Sequence, residues 1–390
     1  MTTRPAIASS QRPSVLLPLG DVEHGNINRL AVGIAGGLSA LGVDTAFVDY
    51  RAGTEAALAA LRRHLQGGTV RTMMAVNAVG FPTDGYEEIA AHGARLMVFG
   101  TDHPCHLHPL TMLAPAGTWL SFPSASNMDY AARYLRPDLN YLHVAHAAPV
   151  REPRPWSERD IPVLMVGNLR QGADESREVW ATRGSETPVL EAMHAHYHAV
   201  SGPTLEGIGE AALVQTGAAG SALAQPAAFA KILRYFDPVV RAELREAILQ
   251  AIAPLGATIA GDWRGLVRDP GGRCRFIGPQ DADAVDDLVG RAKIVINAVP
   301  AYYRSHERVF DAMAAGAVTI NVGAADYPDL SAETGVISVP DITQMQPVID
   351  ALLADDKALR HAGEAARDLH RAHHTWTHRA ATIKDTLSLD

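Results

Sequence analysis

Apolar and polar positions alternate most tellingly between Lys293 and Val322, KIVINAVPAYYRSHERVFDAMAAGAVTINV. Ile294, Val295 and Ile296 form a β-branched run that predicts a strand. Val309, Met313 and Ala317 recur near helical spacing, and Gly316 punctuates the helix end. Val318 to Val322 predicts a second strand. The loop between them carries Pro300, Tyr302, Tyr303, Arg304, Ser305 and His306. Ligands of open α/β sheets bind outside the carboxyl ends of strands, where helix N-termini offer unpaired N–H groups. Loop 300–308 is therefore the first candidate for an anion or nucleotide site.

The rest of the chain repeats this grammar. Strands are expected at 14–19, 45–50, 72–77 and 95–100, with shorter ones at 119–123 and 141–145. Helices are expected at 28–41, 54–66 and 127–134. Leu30, Ile34, Leu38 and Leu41 share one face of the first helix, and Gly33, Gly36 and Gly37 suit close packing on a sheet. Alternating strands and helices predict a parallel sheet covered on both faces. Four prolines between Pro149 and Pro162 mark a linker. Ile161 to Gly167 opens a second sheet, continued at 258–261, 276–278, 294–296, 318–322 and 336–339. The Ala/Glu/Arg-rich stretch 176–252 predicts helices at 187–200, 205–217 and 226–252. It reads as an insertion shaping the acceptor side. Helices at 281–290 and 342–353 and a long broken helix over 359–387 complete the chain.

Bulk properties narrow the function. A length of 390 residues suggests two domains, and 47% hydrophobic with 20% charged residues is globular. A net charge of −9 without a clustered basic run argues against a nucleic-acid partner. No apolar run approaches the roughly 18 residues of a membrane span. The opening MTTRPAIASSQRPS lacks an apolar signal-peptide region. The only cysteines, Cys105 and Cys274, fit a reducing cytoplasm.

Several polar groups are candidate chemistry. GDVEHGN at 20–26 is not a dinucleotide fingerprint, but it places His24 at a strand mouth as a candidate base. Asp102, His103, His106 and His108 follow the fourth strand. They can be read as a zinc set, as a polar turn, or as a catalytic group with Asp102 as base. Pro104 and Pro109 should break the helix that would align metal ligands, and no HExxH partner motif exists. His194 and His198 share a helix face, but no acid or cysteine completes them locally, so they read as a polar face. No metal site is therefore expected. Gly167 would let backbone approach a phosphate, with Asn168 beside it and Arg170 to pair with the charge.

Read in order, VGNLR, IAGDW, FIG, SHERVFDAMAAGAVTIN and HHTWTHRA resemble the donor half of GT-B glycosyltransferases, in particular the CgeB-like (spore-maturation, glycosyltransferase family 1-like) group. The resemblance covers most of 160–390. It implies an α/β GT-B fold of two Rossmann-like parallel-sheet domains with a cleft between them. The expected bounds are 1–155 for the acceptor domain and 156–365 for the nucleotide-sugar domain, with 366–390 crossing back onto the first. It implies metal-independent transfer of a sugar from a nucleoside-diphosphate sugar, a UDP-sugar first, to a hydroxyl of a glycan, protein or small molecule. No cofactor is expected beyond that co-substrate. Donor contacts would come from Gly167, Asn168, Arg170, Gly261, Trp263, Asn297, Ser305, His306, Glu307, Arg308 and Asp311. Asp311 would accept from ribose hydroxyls, and Asp102 or His24 would deprotonate the acceptor. Tyr303 stands where many relatives carry the first acid of an E-x7-E pair. The alternatives are a nucleotide-sugar epimerase of the same fold and a non-catalytic two-domain binding protein. A pyridoxal-dependent phosphorylase is disfavoured, because none of Lys231, Lys293, Lys357 and Lys384 lies in a cofactor-like loop.

Overall fold

Helix-covered parallel sheets bury both strand faces, so their strands are apolar throughout rather than alternating. Ile294, Val295 and Ile296 show this: Ile294 and Ile296 enter one core and Val295 the other, each fully buried. The structure, a computed structural model, describes residues 13–389 apart from 23–24, 79–82, 201, 203, 267–272 and 324–329. His24 lies outside the described residues.

The chain forms two compact units, one of residues up to Pro149 together with those from His373 on, the other Val150–Ala372. In the first, β1 (Val15–Leu19), β2 (Thr45–Asp49), β3 (Thr72–Val76), β4 (Arg95–Phe99), β5 (Trp119–Phe122) and β6 (Asn140–His143) make a six-stranded sheet of order β2-β1-β3-β4-β5-β6. All its pairings are parallel. The helices between the strands are α1 (Asn26–Ala40), α2 (Thr54–Gln66), α3 (Thr83–Ala91), α4 (Pro104–Leu113) and α5 (Ala125–Tyr134).

The second unit adds β7 (Ile161–Val166), then α6 (Ala173–Ala181), α7 (Thr187–Ala199), α8 (Leu205–Gln215) and α9 (Pro226–Ile252). There follow β8 (Thr258–Ala260), β9 (Arg275–Phe276), α10 (Ala282–Arg291), β10 (Ala292–Asn297), α11 (Glu307–Ala315), β11 (Val318–Val322) and β12 (Val336–Val339). The chain closes with α12 (Met345–Ala354), α13 (Asp356–His373) and α14 (Trp376–Leu387). The second sheet is also six-stranded and parallel, of order β12-β11-β10-β7-β8-β9. Strand order reverses between β7 and β10, the place where such sheets open a crevice for ligands.

Two expectations are corrected. Pro104 and Pro109 do not break the segment after β4: α4 runs through both. Pro104 sits in the first turn, where a missing N–H is harmless, and His103 caps the helix by accepting from the Cys105 N–H at 3.3 Å. Pro109 lies inside, and the buried Leu107, His108 and Thr111 around it hold the helix against its propensity. Two of the α1 glycines, Gly33 and Gly37, serve a helix contact rather than a sheet contact. Gly33 and Gly37 face α14, where a Cβ on Gly37 would fall 2.4 Å from the Trp376 carbonyl oxygen. Trp376, Ala380, Ile383 and Leu387 thereby complete the first unit's core.

Among the described residues, no helix is long and apolar enough to cross a membrane.

Candidate functional site

A pocket opens at the carboxyl ends of β10 and β11, bounded by Asn297, Asn321, the loop Val299–His306 and the first turns of α11. Asn297 and Asn321 stand in register as the neighbouring residues of the two strands. Both are buried, yet the Asn297 Oδ1 and both polar atoms of the Asn321 amide have no hydrogen-bond partner. A buried amide without partners costs stability, so its persistence beside an open pocket points to a polar ligand group.

The pocket's far wall is the start of α11. His306 is its N-cap, in extended backbone, and its Nδ1 accepts from the Arg308 N–H at 3.3 Å. The ring proton of a neutral His306 is then on Nε2, which lies 3.4 Å from the Glu307 carboxylate. Ser305 is buried beside it and lines the pocket. The positive dipole end of α11 lies at this opening. Arg304, also on the rim, has φ 56, a left-handed conformation unusual for its residue type.

The loop is held from behind by the helical insertion. Tyr302 and Tyr303 point inward, and both hydroxyls bond the buried Asp237 of α9, at 2.7 and 3.1 Å. Arg241, one turn on, pairs with Asp237 at 2.8 Å, hydrogen-bonds the Tyr303 hydroxyl and lies over its ring. The stretch expected to shape the acceptor side therefore anchors the tyrosine loop. The phenol of Tyr302 is pushed well above its ordinary range by burial and by the Asp237 charge, so it remains a donor.

Cations gather nearby. Arg245 of α9 is half-buried and donates to the Asn168 carbonyl at 2.5 Å. Burial, and then the neighbouring Arg241 and Arg308, draw its pKa down to about 10. Arg241 and Arg308 repel the Arg245 guanidinium, with Asp237 as the countering carboxylate, and such a gathering of cations is a natural seat for an anion.

The remaining expected residues lie in the loops after β7 and β8, in the core and on α11. Gly167 follows β7, and a Cβ there would stand 3.6 Å from the Arg245 guanidinium. The Asn168 Oδ1 accepts from the Asp262 N–H at 2.8 Å, tying the loops after β7 and β8 together. Gly261 (φ 131) is where those loops touch, since a Cβ would fall 1.8 Å from the Gly167 carbonyl oxygen. Arg170 lies 3.6 Å from the Asp262 carboxylate, which Arg264 also holds below the usual carboxylate range. Trp263 is buried in the core, edge-on to Phe276. Asp311 is buried and paired with Arg151 at 3.1 Å, and it does not line the pocket.

In the first unit Asp102 follows β4, and its Oδ2 accepts from the Asn77 amide at 3.2 Å. Asn77 and Ala78 both have positive φ, 49 and 52, so backbone strain collects beside Asp102. Among the described residues Asp102, His103, His106 and His108 do not form a metal-binding group; His103 caps α4 and His108 is buried. The group of metal-binding residue types that does converge among the described residues is His194, His198 and Glu243. The reading of those histidines as an uncompleted polar face is corrected, because the acid arrives 45 positions later, from α9.

Residues 241–385 match the model of a family described as glycosyl transferase-like. That span holds the pocket, Arg241, Arg245 and most of α14. Sucrose-phosphate synthase from Thermosynechococcus elongatus has a similar structure over 97% of this chain and 98% of its own, with a TM-score of 0.56 and 12% identity. HepE from Anabaena, solved with UDP-glucose, matches 96% and 99% with a TM-score of 0.55 and 10% identity. A DNA-modifying β-glucosyltransferase, solved in the presence and absence of uridine diphosphoglucose, matches 96% and 99% with a TM-score of 0.56 and 9% identity. No curated protein matches the chain in sequence. The fold is GT-B: two Rossmann-like units, each on a six-stranded parallel sheet, with the last helix returned to the first unit.

Proposed function

We propose that this protein is a glycosyltransferase that takes a sugar from a nucleoside-diphosphate sugar, a UDP-sugar first, and places it on an acceptor hydroxyl. The observation that carries the reading is the pocket where the partnerless Asn297 Oδ1 and Asn321 amide meet the N-terminus of α11. Supporting it are the match of 241–385 and the neighbours whose names include UDP-glucose. The order of the motifs from VGNLR to HHTWTHRA favours the CgeB-like group within this class.

In this reading Asn297 and Asn321 bond polar groups of the nucleotide. The diphosphate lies against Ser305, the cap of α11 and the Arg241, Arg245 and Arg308 cations, with Gly167 giving its backbone room. As the bond between the anomeric carbon and the phosphate oxygen breaks, the electron pair leaves on the diphosphate. These groups meet that charge without a metal. The acceptor oxygen bonds the anomeric carbon and its proton passes to a base, Asp102 or His24. Asp311 acts indirectly, fixing α11 through Arg151.

Thermal-shift titration with UDP, GDP, dTDP and CMP tests the reading. One nucleotide should raise the unfolding midpoint in proportion to the logarithm of its concentration over its Kd. The matching sugar nucleotide, given an acceptor, should then release nucleoside diphosphate. If no nucleotide shifts the midpoint, the reading is wrong. Release without any acceptor, with isomerised sugar recovered, would favour the epimerase.

A further inference from the structure

α7 presents His194 and His198 one turn apart, and Glu243 of α9 stands opposite them. The His194 Nε2 is 2.6 Å from the Glu243 Oε1, and the His198 Nε2 is 3.2 Å from the Oε2. The two imidazole Nε2 atoms are themselves 3.2 Å apart. All three donor atoms lie within 4.8 Å of one another.

Protons alone satisfy this triangle poorly. Two neutral imidazoles carry at most two Nε2 protons, but there are three contacts to fill. One contact is always left without its hydrogen bond. A cation at the centre engages three lone pairs at once. Metal–ligand bonds of about 2.0–2.2 Å in a tetrahedron put ligand atoms roughly 3.3–3.6 Å apart, so outward shifts of up to about 1 Å suffice. Two imidazoles and a carboxylate are a ligand set that suits zinc. The His198 side chain is 54% exposed, which leaves an entry path and room for a water as fourth ligand.

We propose that His194, His198 and Glu243 bind one zinc-class divalent cation that clamps α7 to α9. The clamp has a mechanical consequence. The Tyr197 ring lies 5.2 Å from that of His198 and 6.2 Å from that of Tyr302. Tyr302 in turn bonds Asp237 of the same α9. The cation therefore braces the helices behind the tyrosine loop without touching the pocket. Its role is structural, and it does not depend on the glycosyltransferase reading.

The test uses the full chain stripped with a chelator and titrated with zinc against a chromophoric competitor, with no nucleotide present. One equivalent should bind and raise the thermal midpoint. Cobalt in its place should give the visible absorption of a tetrahedral site. Even groups beyond the ligands change metal affinity by about 10–100-fold, so His198→Ala and Glu243→Gln should each weaken zinc at least about tenfold. His198 is largely exposed, so His198→Ala should keep the metal-free midpoint, separating lost binding from lost folding. Zinc failing to bind the parent chain overturns the proposal. So does zinc binding unchanged in both variants, which would place the ion elsewhere.

Discussion

The Tyr302 hydroxyl donates to the Asp237 carboxylate at 2.7 Å, joining the pocket loop to a helix 65 positions earlier in the chain. Tyr302→Phe removes that donor and leaves Asp237 with Tyr303 and Arg241. Hydrogen bonds to charged groups contribute about 1.5–3 kcal/mol, so a loss of that size is expected in urea unfolding. Nucleotide affinity should fall as well, because Ala301 and Arg304 of the pocket rim ride on the same loop.

Buried phenols make the fold sensitive to alkali. Burial raises Tyr50, Tyr86, Tyr141 and Tyr197 to about 12 and Tyr302 further. A raised folded-state pKa means stability that is complete below the ordinary phenol value near 10 and is lost as pH rises above it. Unfolding midpoints should be flat in this respect from pH 8 to about 10 and then drop. Phenolate absorbance should show these tyrosines ionising together with unfolding, after the exposed ones.

Gly33 has no room for a side chain: a Cβ would fall 2.3 Å from the Trp376 Nε1. Gly33→Val should force α14 off α1 and cost about 1–3 kcal/mol or more by overpacking. Trp376→Ala leaves a cavity in the same place and should cost about 3–5 kcal/mol. Both are read by denaturant unfolding. Both should leave nucleotide binding by the folded second unit within a few-fold of the parent, since its pocket is remote in composition from α1.

Asn321→Val separates stability from binding. The Asn321 amide is buried with both polar atoms unpartnered, so an apolar residue of similar size should leave the midpoint unchanged or raise it. If the amide serves a nucleotide, the same change should weaken nucleotide binding by about tenfold or more, a loss of roughly 1.4 kcal/mol. Calorimetric titration beside thermal unfolding checks both halves. Weakened binding with a lowered midpoint would instead mark a structural amide.

What the sequence made legible follows from how far each relationship reaches along the chain. The unit β10-α11-β11 could be read because its apolar periodicity, its loop and the Gly316 stop are local. Asn297, Ser305 and His306 were found the same way, as polar residues at a strand end and a helix start. Asn321 stands next to last in β11 and Asn297 last in β10, and that parallel was the available signal for it. Arg245 and Glu243 were not legible. One meets Asn168 across 77 positions and the other meets His198 across 45, and nothing in an Ala/Glu/Arg-rich helix marks which face turns inward. Trp263 misled in the opposite direction. It sits in a loop after a strand, but the loop folds back so that its ring fills the core beside Phe276. The prolines of α4 misled because tertiary burial outweighs local propensity there.

Arg245 offers the sharpest division between nucleoside and phosphate recognition. It is half-buried, it is repelled by Arg241 and Arg308, and its pKa is drawn down to about 10. An anion placed among the three would relieve that repulsion. Arg245→Met keeps much of the apolar stem and removes the charge. It should cost some stability through the lost bond to the Asn168 carbonyl. Affinity for a nucleoside diphosphate should fall by about ten- to a hundredfold, the range of a charge-assisted hydrogen bond. Affinity for the bare nucleoside should barely move, and the salt dependence of diphosphate binding should flatten. The ratio of the two affinities, measured by calorimetric titration at two ionic strengths, is independent of any general loosening of the fold. Equal losses for nucleoside and diphosphate would show that Arg245 only braces the loop after β7, and that the phosphates are held by α11 alone.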